Sequence, residues 1–234
     1  MHPRRGAIAF AADLPLEQGL ERYRQVAPWV GVAKVGLSLF VEHGPKAVKA
    51  FQEVGGQVFL DLKLHDIPNT VGLAAAKAGA LGVSFLTVHA SGGAPMLQAA
   101  LEGAAKGAAQ AGVAAPKILA VTVLTSMDGP TLHSTGVEAE AKAQVERLAQ
   151  LAVKAGCSGL VCSAQEAKAL RALLGPEVFL CTPGIRPPGA SVGDQARVET
   201  PAAAFAAGSN LLVVGRPLSE AADPAAAARA LHDA

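Results

Sequence analysis

A single (β/α)₈ barrel of the TIM type, an α/β fold, is what this sequence predicts, and three observations predict it. Eight short β-rich runs recur along the chain, alanine-rich helical stretches lie between them, and glycine punctuates most of the returns from helix to strand. Strands that alternate with helices imply parallel pairing through right-handed crossovers. Eight such units within 234 residues close naturally into one barrel domain spanning the chain, residues 1–234.

In chain order, the first strands are expected at residues 7–12 and 32–36. The next three are residues 57–60 after Gly55, 83–88 after Gly79 and Gly82, and 117–124 after Gly112. The last three are 160–162 after Gly156 and Gly159, 178–181 after Gly175, and 211–214 after Gly208. Glycine suits these junctions because it adopts the left-handed conformation that ends a helix. Helices are expected over residues 70–78, 96–111, 139–155 and 164–174. No linker, tail or low-complexity segment interrupts the series.

Composition narrows the function. Hydrophobic residues make up 51% and charged residues 17%, enough for a large core and unlike a disordered chain. Formal net charge is +1 without any basic or acidic run, so no surface for tracking nucleic acid is expected, although one small anionic ligand fits. The apolar run before Asp13 is shorter than a secretory core, and no apolar span reaches the roughly 18 residues of a membrane helix. A cytoplasmic protein with no membrane partner is expected. Cys157, Cys162 and Cys181 form no C-x-x-C pair and read as reduced core residues, with no metal site.

The third strand carries charge on an unexpected face. In Val58-Phe59-Leu60-Asp61-Leu62-Lys63-Leu64, period-two alternation places the leucines on one face and Phe59, Asp61 and Lys63 on the other. In a barrel the leucine face meets the helices, so Asp61 and Lys63 point inward near the C-terminal mouth. Ala7, Ala9, Ala11 and Asp13 share a face of the first strand, and Lys34 lies among Val32, Ala33 and Val35 of the second. Asp13, Lys34, Asp61 and Lys63 therefore converge where such barrels hold their active sites. Buried charges are costly unless paired, and four together point to chemistry rather than to one structural ion pair. Asp66 lies just before Pro68 and also suits a carboxylate at a helix start. His65 receives no role, and His89 reads as a hydrogen-bonded wall residue.

The end of the chain suggests a phosphate site. The seventh strand runs into Thr182-Pro183-Gly184-Ile185-Arg186-Pro187-Pro188-Gly189, and the eighth into Val214-Gly215-Arg216-Pro217. Loops after strands seven and eight are the recurrent phosphate cradle of this fold. Gly215 permits close approach of the backbone, and Arg216 can add a charge-assisted contact. Residues 186–195, rich in proline and glycine, suit a loop that closes over a ligand. Thr125, following Val121 and Val123 on the inward face of strand five, is placed to hydrogen-bond a base or sugar.

These segments resemble orotidine 5′-phosphate decarboxylases of the common bacterial type. The specific signature is Asp61-Leu62-Lys63-Leu64-His65-Asp66-Ile67-Pro68-Asn69-Thr70. Lys34-Val35-Gly36, Leu124-Thr125-Ser126, Thr182-Pro183-Gly184-Ile185-Arg186-Pro187, Gly193-Asp194-Gln195 and Val214-Gly215-Arg216-Pro217 follow the family's order, so the likeness runs from residue 13 to 217. D-x-K-x-x-D alone is shared with related sugar-phosphate enzymes. One departure is Ala12, where the family usually has leucine; it concerns packing, not chemistry.

The resemblance implies that orotidine 5′-monophosphate, a nucleoside monophosphate, is converted to uridine 5′-monophosphate and carbon dioxide without metal or organic cofactor. It implies that Lys63 is the proton donor, that Asp61 lies by the departing carboxylate, and that Lys34 and Asp66 complete an alternating array. Asp13 and Lys34 would contact the ribose, Ile67 would line the substrate site, and Arg186, Gln195, Gly215 and Arg216 would hold the phosphate. It further implies a homodimer in which Asp66 and Thr70 reach the partner's site. Three other readings remain: a magnesium-dependent sugar-phosphate barrel, a Schiff-base role for Lys63, and a nucleotide-binding barrel without turnover.

Overall fold

The computed structural model describes residues 4–186 and 199–234. Eight parallel strands close into a barrel in sequence order: β1 (Ile8–Ala11), β2 (Val32–Gly36), β3 (Gln57–Leu64), β4 (Phe85–His89), β5 (Lys117–Val121), β6 (Gly159–Val161), β7 (Phe179–Thr182) and β8 (Leu211–Val214). The helices outside it are α1 (Leu16–Val26), α2 (Leu37–His43), α3 (Pro45–Glu53), α4 (Pro68–Ala80), α5 (Gly93–Ala111) and α6 (Gly129–Ser134). They continue with α7 (Ala141–Lys154), α8 (Ala164–Leu174), α9 (Pro201–Ala206), α10 (Arg216–Ser219) and α11 (Pro224–Asp233).

Alternation along each strand separates two cores. Ile8 and Phe10 of β1 face the helices, while Ala9 and Ala11 face the barrel interior. Inward residues early in the strands are bulky. Phe85 packs against Phe59 and Phe179 at ring distances of 5.8 and 5.3 Å and fills the lower barrel. Inward residues near the strand ends are small or charged, so the interior opens toward the C-terminal face.

Strand ends differ from the sequence reading by more than two residues in two places. β3 continues to Leu64, whereas β5 stops at Val121 instead of reaching residue 124. The cause lies in its neighbours: Val121 pairs with His89, the last residue of β4, and with Val161, the last residue of β6. Beyond it the chain has no ladder to join. Alternation consequently lapses, and Val123 turns into the outer core rather than inward.

The punctuating glycines serve two purposes. Gly55, Gly82, Gly112, Gly156, Gly175 and Gly208 have positive φ, as their junctions require. Gly79 and Gly159 do not; Gly79 lies within α4 and Gly159 within β6. A Cβ on Gly79 would sit 2.2 Å from the Ala104 carbonyl oxygen of α5, and one on Gly159 would sit 2.3 Å from that of Phe179. Close approach, not turn geometry, excludes a side chain there. The same contact between α4 and α5 recurs at Gly107, where a Cβ would meet the Ala76 carbonyl oxygen at 1.8 Å. Gly107→Ala should therefore destabilise the fold by about 1–3 kcal/mol through overpacking, read as a lower urea midpoint at unchanged slope. An unchanged midpoint would show that the two helices can separate freely.

Candidate active site at the C-terminal mouth

Register brings the inward charges together. Ala11 of β1 pairs with Lys34 of β2, and Gly36 at the end of β2 pairs with Asp61 of β3. Asp13, just past β1, Lys34 and Asp61 thus meet above the apolar lower barrel. Lys63 Nζ lies 2.8 Å from Asp61 Oδ2, Lys34 Nζ 3.7 Å from the same oxygen, and Lys34 Nζ 3.3 Å from Asp13 Oδ1. The result is a chain of alternating charges, Asp13–Lys34–Asp61–Lys63. Burial alone would raise the Asp61 carboxyl. The two ammonium groups and hydrogen bonds from Lys63 and Thr87 outweigh it and hold the group below the ordinary carboxylate range.

Lys63 reaches this position by a backbone route that simple alternation does not describe. Leu60 pairs with Leu86, but the next pair is Leu64 with Val88, so Asp61, Leu62 and Lys63 lie opposite Thr87 alone. Within this irregularity Lys63 has φ 48°, and it is the non-glycine residue at positive φ among those described. That conformation costs a residue with a side chain about 1–2 kcal/mol, and the surrounding contacts must hold it in place. One such contact is Thr87 Oγ1, which accepts the Lys63 N–H at 2.9 Å. Thr87 was not singled out from sequence. The signal was present, because alternation from Phe85 puts Thr87 on the inward face of the strand beside Asp61.

The charges form one wall of a cavity of about 500 Å³, a size suited to a small ligand. Phe59, Val161, Cys181 and Val213 provide apolar lining, and Thr125, Arg186, Gly215 and Arg216 also border the space. Thr125 borders it from a turn, since β5 has ended. Arg186 is buried, and one of its nitrogens donates to the Ile185 carbonyl at 2.9 Å. Arg216 opens α10 at the exposed rim. Among the described residues, a Cβ on Gly215 would meet only Ala11 Cβ, at 3.6 Å. Gln195, with Gly193 and Asp194, lies outside the described residues.

Three residues of the signature stand apart. Asp66, Ile67 and Thr70 are exposed and do not line the cavity. The Asp66 carboxylate accepts its neighbour's N–H, from Ile67, at 2.6 Å, and it joins no ion pair with the Lys63 of its own chain. Ile67 precedes Pro68 at the start of α4, so Asp66 lies one position outside the cap.

The remaining candidates are quieter. His89 packs on His65 at a ring distance of 5.4 Å. Burial first, then the charges of His65 and Lys63, lower its pKa. Cys157, Cys162 and Cys181 are unpaired and buried. Burial pushes the Cys157 and Cys162 thiols up to about 12 and Cys181 well above its ordinary value, so reactive thiolates are not expected. Among the described residues no cluster of His, Cys, Asp or Glu is arranged to hold a metal ion, and no helix is long and apolar enough to cross a membrane.

Comparison with known proteins places the chain in one family. The profile of the orotidine 5′-phosphate decarboxylase / HUMPS family matches residues 7–231. The orotidine 5′-phosphate decarboxylase of Anaeromyxobacter sp. (strain K) is 54% identical over 225 residues, 96% of each chain. That of Thermobifida fusca is 51% identical, covering 96% of this chain and 93% of its own. The crystal structure of orotidine 5′-phosphate decarboxylase from Lactobacillus acidophilus superimposes with a TM-score of 0.84 at 38% identity, covering 97% of both chains.

Proposed function

The chain belongs to the orotidine 5′-phosphate decarboxylase / HUMPS family and is a carboxy-lyase of pyrimidine biosynthesis; on that premise we propose that Lys63 protonates the product without help from metal or organic cofactor. The substrate is orotidine 5′-monophosphate, and the products are uridine 5′-monophosphate and carbon dioxide. The observation that carries this reading is the ion pair of buried Asp61 with half-buried Lys63, set in a cavity that Arg186 and Arg216 also line.

Breaking the bond between C6 and the carboxylate leaves its electron pair in an orbital in the plane of the pyrimidine ring. Resonance cannot spread that charge, so the protein must supply fixed charge where it develops. The Lys63 ammonium is suited to do so. It then transfers one proton to C6, becomes a neutral amine and regains a proton from solvent. Asp61 holds Lys63 on one side and lies beside the departing carboxylate, while Lys34 links Asp61 to Asp13 and the ribose. Thr125 would contact the base or sugar, and Arg186, Gly215, Arg216 and Gln195 the phosphate.

Sharing of the site between two subunits is part of the same reading. Asp66 and Thr70 would enter the partner's cavity and Ile67 would approach the substrate from the mouth. Two features support this: Asp66 joins no ion pair with the charge chain of its own subunit and does not line its cavity, and large apolar side chains are exposed on neighbouring units of the mouth. Val41 of α2 is 83% exposed and Ile67, before α4, 65%. Exposed apolar groups of this kind fit an interface with a second copy.

The test is ultraviolet detection of orotidine 5′-monophosphate consumption by protein treated with chelator. Undiminished turnover is expected. Loss of activity restored by a divalent cation would favour a metal-dependent sugar-phosphate chemistry instead. Arg216→Ala should weaken uridine 5′-monophosphate by about 1.5–3 kcal/mol, the range for a hydrogen bond to a charged group, and leave uridine binding unchanged. Equal losses for both ligands, measured by calorimetry, would remove Arg216 from the phosphate site.

A further inference from the structure

We propose that Thr87 is a positioning residue for decarboxylation, its buried hydroxyl tying the Asp61 carboxylate to the Lys63 backbone. The inference rests on the decarboxylase reading above and adds a residue that touches no substrate. Thr87 is fully buried. Its Oγ1 lies 2.9 Å from Asp61 Oδ1 and 2.9 Å from the Lys63 backbone nitrogen.

The chemistry of the groups sets the direction of both bonds. A carboxylate can only accept, so the hydroxyl proton goes to Asp61. A backbone N–H can only donate, so the hydroxyl oxygen accepts from Lys63. One side chain therefore fixes an oxygen of the carboxylate and the amide of the residue that carries the ammonium. Both ends of the 2.8 Å Asp61–Lys63 ion pair are anchored to the same atom of β4.

The local irregularity makes this anchor necessary. With Asp61, Leu62 and Lys63 opposite one residue of β4, the usual ladder acceptor is missing for the Lys63 N–H. A buried amide without an acceptor is costly, and Thr87 supplies the acceptor from its side chain. The same bond restrains Lys63 at φ 48°, the conformation from which its side chain returns to Asp61. Asp61 Oδ2 is committed to Lys63 and Lys34, and Oδ1 is held by Thr87. The carboxylate is thereby prevented from rotating away from the reacting face.

Three measurements on Thr87→Val and Thr87→Ser test the proposal. Valine keeps the volume without the hydroxyl, and serine keeps the hydroxyl. In Thr87→Val, kcat should fall by about 10–100-fold, as for the removal of partners that orient reactive groups, with uridine 5′-monophosphate affinity unchanged. Hydrogen exchange of the Lys63 amide should quicken in the same variant. Thr87→Ser should restore both kcat and amide protection. Wild-type kcat in Thr87→Val, or serine as slow as valine, would overturn the positioning role. So would a loss of product affinity matching the loss of kcat, which marks a general structural defect. Should Thr87→Val fail to fold, Thr87→Cys replaces it under the same criteria, because its thiol is only a weak donor. A wild-type protein that consumes no orotidine 5′-monophosphate would reject the decarboxylase reading, whereas amide exchange would still show whether Thr87 holds Lys63.

Discussion

Lys63→Ala should lower turnover of orotidine 5′-monophosphate by at least ~10⁴-fold, because one side chain supplies two effects. Losing a positioned general acid costs about 10²–10⁴-fold, and losing a preorganised charge at a developing anion costs about 10²–10³-fold. Binding of uridine 5′-monophosphate should survive, since the groups assigned to phosphate and ribose are untouched. The fold should survive as well. The amide of residue 63 keeps its bond to Thr87, and Asp61 keeps Lys34 and the Thr87 hydroxyl as partners. Steady-state turnover and calorimetric product binding check both statements. A variant that retains a tenth of wild-type turnover would remove Lys63 from the role of proton donor.

Mixing Lys63→Ala with Asp66→Ala protein should bring activity back from near zero to roughly a quarter of wild type per site. The basis is placement: Lys63 joins the charge chain of its own subunit, whereas Asp66 is exposed and, among the described residues, accepts a hydrogen bond from Ile67 and joins no ion pair. If Asp66 serves the partner's cavity, each hybrid dimer has one site with both defects and one site with neither. Random exchange in an equal mixture makes about half of the dimers hybrid, as expected of a two-fold pair, and half of their sites are intact. If Asp66 acted within its own chain, each site would keep one defect and the mixture would stay inactive. Absence of recovery, with hybrids confirmed by mass spectrometry, would return Asp66 to its own subunit.

Much of the architecture was legible because its signals are local. Alternation in Val58–Leu64 followed from backbone geometry, and it separated the inward Asp61 from the outward Leu60 without knowledge of any partner strand. Glycines such as Gly112 and Gly156 marked junctions because positive φ is a property of one residue. The limits of this reasoning appear at β5. Nothing within residues 117–124 reveals that β4 and β6 both end opposite Val121, so the strand read too long and Val123 was placed on the wrong face.

The sequence by itself determined the closed barrel of parallel strands, the convergence of Asp13, Lys34, Asp61 and Lys63 at its mouth, and a second group of candidates after β7 and β8. Each follows from periodicity and chain order, which are written in consecutive residues. Only the tertiary structure decided the tight approach of α4 to α5 and the three-to-one pairing of Asp61–Lys63 with Thr87. Those features are relations between segments far apart in the chain. Their free energy resides in register, backbone contact and shared hydrogen bonds, and these come into being only when the strands and helices meet.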